Sequence, residues 1–242
     1  MAHGYPDYGV GAPYKTIYPV LDLGELAARL GSIITFDRRG NVIWFDDFEQ
    51  GINKWKKNFT GFAGTITSTQ ERARTGGFSA KITPYPDSDS RTRMEHYMPL
   101  PIIGRLGFEF SFTWVYDVGE IVLNASLYGH DYHHSSQIRY LGGGYRRWYY
   151  LDENSNWQEI GRVILHAEDY LFNTIKLVVD YKTLKYVRLI VNETEFNLSG
   201  IPYRLLSPAA TYFLMHYIES RPHTNVEVSS YIDDVILTQN EP

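Results

Sequence analysis

The chain has 242 residues with 28 acidic and 23 basic side chains, and its net charge of -5 gives no reason to expect nucleic acid as a partner. Cysteine is absent, which excludes disulfides and thiolate zinc sites, whereas aromatic residues reach 15%. No segment approaches the ~20 apolar residues of a membrane-spanning helix, so membrane insertion is not expected.

The first 20 residues combine glycine and proline with four tyrosines, Tyr5, Tyr8, Tyr14 and Tyr18. Proline lacks an amide donor and glycine costs backbone entropy, so a regular helix is excluded here. The tyrosines are too apolar for a solvated tail, and we expect an extended arm lying against a surface. The start lacks the basic and apolar runs of a signal peptide, which predicts cytoplasmic synthesis, with a virion or an extracellular particle as the destination.

A short amphipathic helix is predicted over 22–31, with Asp22 as its N-cap and Gly31 as its stop. Leu23, Leu26 and Leu30 form its apolar stripe. Two or three turns are marginal alone in water, so the stripe needs a docking partner. Residues 1–32 are therefore predicted to be an arm with a helix that makes subunit contacts.

From residue 33 the hydrophobic period becomes two, which is typical of strands. Segments 33–37 and 42–48 flank a turn-like spacer and predict a hairpin. The clearest strand is 106–116, which puts large apolar side chains on one face: Leu106, Phe108, Phe110, Phe112, Trp114 and Tyr116. Further strands are predicted at 79–83, 121–128, 137–141, 147–151, 157–160, 174–180, 186–191, 195–198, 211–218 and 226–237. A dozen strands at this spacing predict an all-β sandwich of two antiparallel sheets over 33–242.

Three motifs stand in a definite order: FDDFEQG at 45–51, ARTGGFSAKI at 73–82 and YIDDVIL at 231–237. This order resembles that of the jelly-roll carbohydrate-binding modules attached to xylanases and laminarinases, within the concanavalin A-like group of lectin and glucanase sandwiches. The resemblance covers roughly residues 44–238. It implies a jelly-roll fold and a glycan partner, and it leaves the N-terminal arm unexplained.

The resemblance also implies a structural Ca²⁺ held between the first and last motifs. Carried over by position, the ligands are Glu49 and Asp233, with Asp47 or Asp234 as alternates. Calcium takes six to eight oxygen ligands, which suits acidic strand ends joined by backbone carbonyls. The alternative is that these acids are ordinary strand-end residues in turns and surface pairs.

Aromatic residues are densest between 140 and 157, where Tyr145, Trp148, Tyr150 and Trp157 are candidates for stacking against sugar rings. The same rings would equally fill the core or a subunit contact, as large aromatics usually do. His130, Asp131, His133 and His134 form a loop cluster that is weak evidence for a transition metal.

Catalysis on a glycan needs two carboxylates that face one cleft. Acidic residues are available, namely Glu95, Glu109, Glu120, Glu153 and Glu159, but no compact paired-acid motif, nucleophile elbow or phosphate-binding loop is present. These absences predict a protein that is not an enzyme. We expect a structural subunit of a homo-oligomeric particle or surface layer, such as a virion capsid or decoration protein, with carbohydrate binding as the alternative function.

Overall fold

A computed structural model describes residues 39–99, 102–114, 119–129, 132–166, 168, 170–206, 211–222 and 225–242. The arm, its tyrosines and the helix predicted over 22–31 lie outside these residues, as does segment 33–37 of the predicted hairpin. The strands are β1 (Asn41–Asp46), β2 (Lys56–Thr60), β3 (Thr65–Thr69), β4 (Ser79–Thr83), β5 (Arg91–Met98), β6 (Arg105–Trp114), β7 (Gly119–Gly129), β8 (Tyr132–Leu141), β9 (Arg147–Leu151), β10 (Trp157–Gly161), β11 (Asn173–Asp180), β12 (Lys185–Val191), β13 (Thr194–Asn197), β14 (Arg204–Leu206), β15 (Phe213–Pro222) and β16 (Ser230–Gln239).

These strands form two antiparallel sheets of eight strands each, which confirms the predicted all-β sandwich. Sheet A has the order β13-β12-β11-β6-β16-β4-β3, with β1 also paired to β16. Sheet B has the order β10-β9-β8-β7-β15-β5-β2, with β14 paired to β8. Among the described residues, no helix is long and apolar enough to cross a membrane.

The predicted alternation of β6 is confirmed, because its phenylalanines and Trp114 are buried in the core between the sheets. The rings pack in series, with Phe110 and Phe112 at 5.8 Å and Phe112 and Trp148 at 6.5 Å between centroids. The opposite face of β6 is polar, as expected, but Glu109 and Ser111 on it are also buried. Sheet A therefore carries buried charge on its outer side.

Along one of its edges, strand β16 pairs with two different strands, β4 and β1. Its first residues, 230–232, pair with β4, and its last residues, 235–239, pair with β1. A bulge lies between these halves of β16. There the pairing of β16 with β6 shifts register between Asp233 and Ile236, and Asp234 has a φ of 49°. The segments that leave β1 and enter β4 consequently meet at Asp233 and Asp234.

His96 and His216 lie next to each other inside the sandwich, with their ring centroids 4.8 Å apart. His96 stacks on Trp44 with centroids 4.1 Å apart, and His216 packs 4.7 Å from Phe108. Both ring nitrogens of His216 lack a hydrogen-bond partner within the described part of the chain. Burial lowers the pKa of His96 to about 4 and that of His216 well below its usual value, so both rings are neutral in the folded protein near neutral pH.

We predict that His216→Phe reduces the loss of stability in acid. The unfolded chain takes up a proton at the ordinary histidine pKa, whereas folded His216 does not, so wild-type stability falls as pH drops below about 6.5, by up to about 1.4 kcal/mol per pH unit for one proton. Urea unfolding between about pH 7 and pH 4.5 measures this slope. His166→Phe, at an exposed ring, should keep the wild-type slope, and equal slopes in all three proteins would contradict the prediction.

Candidate functional site

The outer face of sheet B, which points away from sheet A, carries a dense set of polar and aromatic side chains. On β15, Leu214, His216 and Ile218 enter the main core, whereas Met215 and Tyr217 belong to a separate cluster with Val122. The strand registers extend this outward set across the sheet to Asn58, Arg93, Glu95, Tyr97, Glu120, Asn124, Tyr128, His133, Gln137, Arg139, Tyr149, Phe213, Glu219 and Arg221.

Three carboxylates alternate with three guanidinium groups across this face, in the sequence Glu95, Arg93, Glu219, Arg221, Glu120 and Arg139, which we call the charge row. Arg93 Nε lies 2.9 Å from Glu95 Oε1, and Arg93 Nη1 lies 3.7 Å from Glu219 Oε2. Arg221 pairs with Glu219 and lies 3.8 Å from Glu120 Oε2. Arg139 Nη1 is also 3.8 Å from that oxygen, so the row continues without a break over β5, β15, β7 and β8.

Two of the three carboxylates of the charge row, Glu95 and Glu219, are buried, and Glu120 is half-buried. Glu95 is 3% exposed and Glu219 is 1% exposed. A buried carboxylate is costly unless a cation and hydrogen bonds compensate it. The alternation of sign provides that compensation, because each carboxylate contacts at least one guanidinium.

Glu95 is held by three donors of different kinds. In addition to Arg93, Asn58 Nδ2 donates to its Oε1 at 2.8 Å, and the Tyr97 hydroxyl donates to its Oε2 at 2.5 Å. Tyr97 itself is 40% exposed. Its pKa is raised by partial burial and by the bond to Glu95. The hydroxyl of Tyr97 is therefore a protonated group that joins a buried carboxylate to the surface.

Four rings lie beside the charge row and form what we call the ring row: Tyr97, Phe213, Tyr128 and His133. Tyr97 and Phe213 are 5.4 Å apart, Phe213 and Tyr128 are 4.2 Å apart, and Tyr128 and His133 are 3.8 Å apart between centroids. The last two pairs are stacked. The row crosses the same four strands as the charge row and gives the face an aromatic strip next to its carboxylates.

At the far side of the face, Arg139 lies between two rings. Its guanidinium carbon is 4.4 Å from the centroid of Trp157 and 5.0 Å from that of Tyr149. Burial lowers the pKa of Arg139, and the nearby Glu120 carboxylate opposes this shift. Cation–π contacts thus fix the end of the charge row.

The four predicted sugar-stacking aromatics are split among different environments. Trp148 is 0% exposed and lies in the core, so its proposed stacking role is wrong. The alternation along β9 turns Tyr150 inward too, where it packs 5.8 Å from Tyr186. Tyr145 is exposed in the turn before β9, and Trp157 is half-buried on the outer face of sheet B.

The three sequence motifs meet at the bulge in β16, as the resemblance implies. Asp233 Oδ2 accepts hydrogen bonds from the amides of Arg74 and Thr75 at 2.7 and 3.2 Å. Glu49 Oε1 accepts from the amides of Gly77 and Phe78 at 2.7 and 2.8 Å. Gly76 has a φ of 61°, which other residues rarely adopt, and a Cβ there would lie 2.3 Å from Glu49 Oε1 and would displace that carboxylate.

Negative charge is in excess at this junction. Burial, and then the neighbouring Asp234, raise the pKa of Asp233 to about 7. Burial also raises the pKa of Asp234, with Asp47 adding to the shift. Asp234 Oδ2 is buried without a hydrogen-bond partner within the described ranges, and Arg74 Nη1 lies 3.9 Å from it.

This donor set fits a calcium ion that completes its shell with backbone carbonyls and water. No three Asp, Glu or His side chains in the described part of the chain are grouped closely enough to hold a metal ion by themselves. Glu49, Asp47, Asp233 and Asp234 could supply only part of the six to eight oxygens that calcium takes. Calcium binding by these residues stays a prediction, and its role would be to tie the first and last motifs together.

The predicted histidine loop is only partly described. His130 and Asp131 lie outside the described residues, while His133 belongs to the ring row and His134 packs 5.8 Å from Tyr203. Adjacent strand residues point to opposite faces, so His133 and His134 diverge.

Sequence reasoning missed the most central members of the outer face, namely Arg93, Tyr97, Phe213, Glu219 and Arg221. Strand β5 was not predicted, and the predicted strand 211–218 ended before Glu219. The sequence signal that could have found them is the alternation along β15, which places Phe213, Met215, Tyr217, Glu219 and Arg221 on one face of the strand.

No family model matches the chain, and no curated protein matches it in sequence. Solved structures do match. A cellulose-induced protein is 13% identical with a TM-score of 0.53, and the alignment covers 81% of this chain and 97% of that one. The endo-β-1,4-glucuronan lyase of the fungus Trichoderma reesei is 9% identical with a TM-score of 0.56, and the alignment covers 82% of this chain and 95% of the lyase. The fold is a concanavalin A-like jelly roll. A Bacillus licheniformis β-glucanase is 12% identical with a TM-score of 0.48, and the alignment covers 81% of this chain and 98% of the glucanase.

These matches confirm the fold implied by the resemblance and contradict two other predictions. The chain was expected to be a non-enzymatic subunit of a virion-type particle, but the structures that share its fold over most of its length include a polysaccharide lyase. The prediction relied on the absence of a short acidic motif, whereas in this chain Glu95 on β5 and Glu219 on β15 come together around Arg93 although no short motif contains them. Identity this low shows the fold alone.

We predict that calcium stabilises the protein through the β16 bulge. At a calcium concentration about 100 times Kd, the gain in unfolding free energy would be about 2.7 kcal/mol. Asp234→Asn should abolish this gain, whereas Asp152→Asn, at a turn acid between β9 and β10, should retain it. Thermal melts with calcium and with chelator measure both.

The calcium effect should be larger above about pH 7 than near pH 5, because metal binding requires deprotonated carboxylates and the pKa of Asp233 is about 7. Without calcium the sign reverses: the folded state holds the Asp233 proton more tightly than the unfolded state, and this contribution to stability is lost as pH rises toward 7. Identical melts with calcium and chelator at both pH values would contradict calcium binding.

Proposed function

We propose that this protein binds a polysaccharide along the outer face of sheet B and cleaves it there. The observation that carries the proposal is the position of Glu95 and Glu219, two buried carboxylates that contact the same guanidinium beside a row of aromatic rings. The fold likeness to a polysaccharide lyase supports it.

Binding is supported by the ring row. Aromatic faces pack against the apolar faces of sugar rings, while polar neighbours take the hydroxyl groups. The ring row runs across four adjacent strands, which gives space for a short oligosaccharide lying across the strands. Polar neighbours on the same face include Asn124 and Gln137, whose side-chain amides donate hydrogen bonds to the Ser135 hydroxyl.

Cleavage is supported by the carboxylate geometry. Because Glu95 and Glu219 both contact Arg93, their nearest oxygens are separated by no more than roughly 9 Å, within the span over which two carboxylates act on a glycosidic bond. In this proposal the reaction is hydrolysis, and ionised Glu95 accepts, through the exposed Tyr97 hydroxyl, a proton from the water molecule whose oxygen attacks the anomeric carbon. The bond between that carbon and the glycosidic oxygen breaks, and solvent protonates the departing oxygen. Glu219 is the second carboxylate, which stabilises positive charge that develops on the sugar ring.

We predict that Glu95→Gln and Glu219→Gln each lower the cleavage rate by about 10²- to 10⁴-fold, because each removes a carboxylate that takes part in the reaction. The rate is measured as released reducing ends, over a panel of neutral and acidic polysaccharides, and ultraviolet absorption of unsaturated products distinguishes elimination from hydrolysis. Glu195→Gln, at an exposed carboxylate paired with Arg39 on sheet A, should keep the full rate. Circular dichroism verifies that each variant is folded, and an unchanged rate in both folded variants would refute the roles of these carboxylates.

We further predict that Phe213→Ala weakens polysaccharide binding by about three- to tenfold, the usual contribution of one aromatic contact. Affinity electrophoresis in gels that contain the polysaccharide gives the dissociation constant. Phe62→Ala removes a ring that is exposed outside the ring row and should leave the affinity unchanged. If both variants bind like wild type, the ring row is not the binding surface.

A further inference from the structure

The charged groups on the outer face of sheet B are not equally accessible to a ligand. Arg93 keeps 27% of its side chain exposed, whereas its partners Glu95 and Glu219 keep 3% and 1%. Arg221, which also pairs with Glu219, is 16% exposed. A ligand that lies on this face therefore meets guanidinium groups before it meets carboxylates.

Three more cations lie on the same face outside the charge row, namely Lys56 on β2, Arg91 on β5 and Arg204 on β14. Lys56 is in register with Glu95 and Arg204 with Ser135, so both point outward, and alternation along β5 turns Arg91 outward too. None of the three forms an ion pair with a described residue. Because the charge row is itself balanced, these three give the described part of the face an excess of positive charge in a protein whose net charge is -5.

Two of these cations lie at opposite ends of the ring row. Lys56 Nζ is 5.5 Å from the ring centroid of Tyr97, which begins the row. At the other end, burial lowers the pKa of His133, and the charges of His134 and Arg204 add to the shift, so Arg204 lies within electrostatic reach of the last ring. From β2 to β14 the face crosses five strand spacings, or roughly 24 Å, which is enough for a short oligosaccharide with a cation near each end.

This distribution of charge favours an anionic ligand over a neutral one. Guanidinium and ammonium groups form hydrogen bonds with carboxylate or sulfate oxygens that are roughly twice as strong as those between neutral groups. Glu95 and Glu219 would repel an anion, but each contacts a guanidinium that offsets its charge and is more exposed than the carboxylate. The hydroxyl groups of a neutral glycan would make no use of the excess positive charge.

From these observations we infer that the polysaccharide bound on the outer face of sheet B is anionic, with carboxylate or sulfate groups on its sugars. The inference rests on the proposed function, because it names the substrate class of the same site. The sugar rings lie along the ring row, and their anionic groups contact Lys56 at one end and Arg204 at the other. The exposed edge of Arg93 contacts an anionic group between them.

Calorimetric titration with matched tetrasaccharides tests the inference. Tetramers of glucuronic, mannuronic and galacturonic acid are each compared with the neutral tetramer obtained when their carboxyl groups are reduced to primary alcohols, and a sulfated carrageenan tetrasaccharide is compared with its desulfated form. At least one anionic ligand should bind wild type about tenfold or more tightly than its neutral counterpart, since only the anion makes charged hydrogen bonds. This ratio should fall as the ionic strength is raised, and the ligand that shows it distinguishes a carboxylate from a sulfate.

Variants of the two end cations locate the recognition. Lys56→Gln and Arg204→Gln should each weaken binding of that anionic ligand by about two- to fivefold and leave the affinity for its neutral counterpart unchanged. Neither substitution takes a partner from a carboxylate among the described residues, so the buried pairs of the charge row are retained. Lys182→Gln, at an exposed lysine between β11 and β12 in sheet A, is the matched control and should leave both affinities unchanged.

The outcomes separate this inference from the proposed function. Equal affinity for every anionic ligand and its neutral counterpart, a full preference that persists in the Lys56→Gln/Arg204→Gln double variant, or no binding of any ligand overturns the inference. If Phe213→Ala weakens binding while the anionic and neutral ligands bind equally, the outer face is the binding surface and only the substrate class is wrong. If Phe213→Ala leaves every affinity unchanged, the ligands bind elsewhere and the proposed function fails together with the inference.

Discussion

Pairing of opposite charges on the outer face of sheet B is the constraint on which the architecture of that face depends. Glu95 and Glu219 are almost completely buried on the central strands, so the loss of one guanidinium partner would cost roughly 3 to 5 kcal/mol. An exposed pair such as Arg39 with Glu195 contributes less than about 1 kcal/mol by comparison. Replacement of a buried ion pair by packed apolar residues is often neutral or stabilising. Stability alone therefore does not account for the charge row, and its arrangement is consistent with the chemistry proposed for this face.

Strand β16 has a comparable organising role in the opposite sheet. In sheet A it pairs with β6, β4 and β1, and the interruption between β4 and β1 brings the three acidic and glycine-containing motifs together. The same sheet supplies the β6 rings of the core on which sheet B packs. The acidic junction and the charge row lie in different sheets, which separates a proposed stabilising metal from the residues proposed for cleavage.

The sequence predicted the architecture better than the site. Alternation in β6 and turn chemistry identified most strands, because both are local properties of the chain. The junction at the β16 bulge followed from motif order, which is a property of the resembled fold. The charge row was not predictable in this way, because its members come from β5, β15, β7 and β8 and are combined only by strand order. Trp148 and Tyr150 were misplaced for a related reason: alternation shows that they share a face of β9 but not which face is buried.

The fold also explains why an absent motif misled the functional interpretation. In a sandwich whose strands cross over between sheets, residues such as Glu95 and Glu219 become neighbours although 124 positions separate them, and no compact pattern marks them. The result is an outer face of sheet B with paired carboxylates, which is the surface proposed to bind and cleave a glycan.

A crystal structure of the complex with a non-cleavable, sulfur-linked oligosaccharide tests the central claim most directly. We expect this structure to show a sugar ring packed on Phe213 or Tyr128, with the sulfur of the linkage within reach of Glu95 and Glu219. An oligosaccharide bound at another surface, with the outer face of sheet B unchanged, would contradict it.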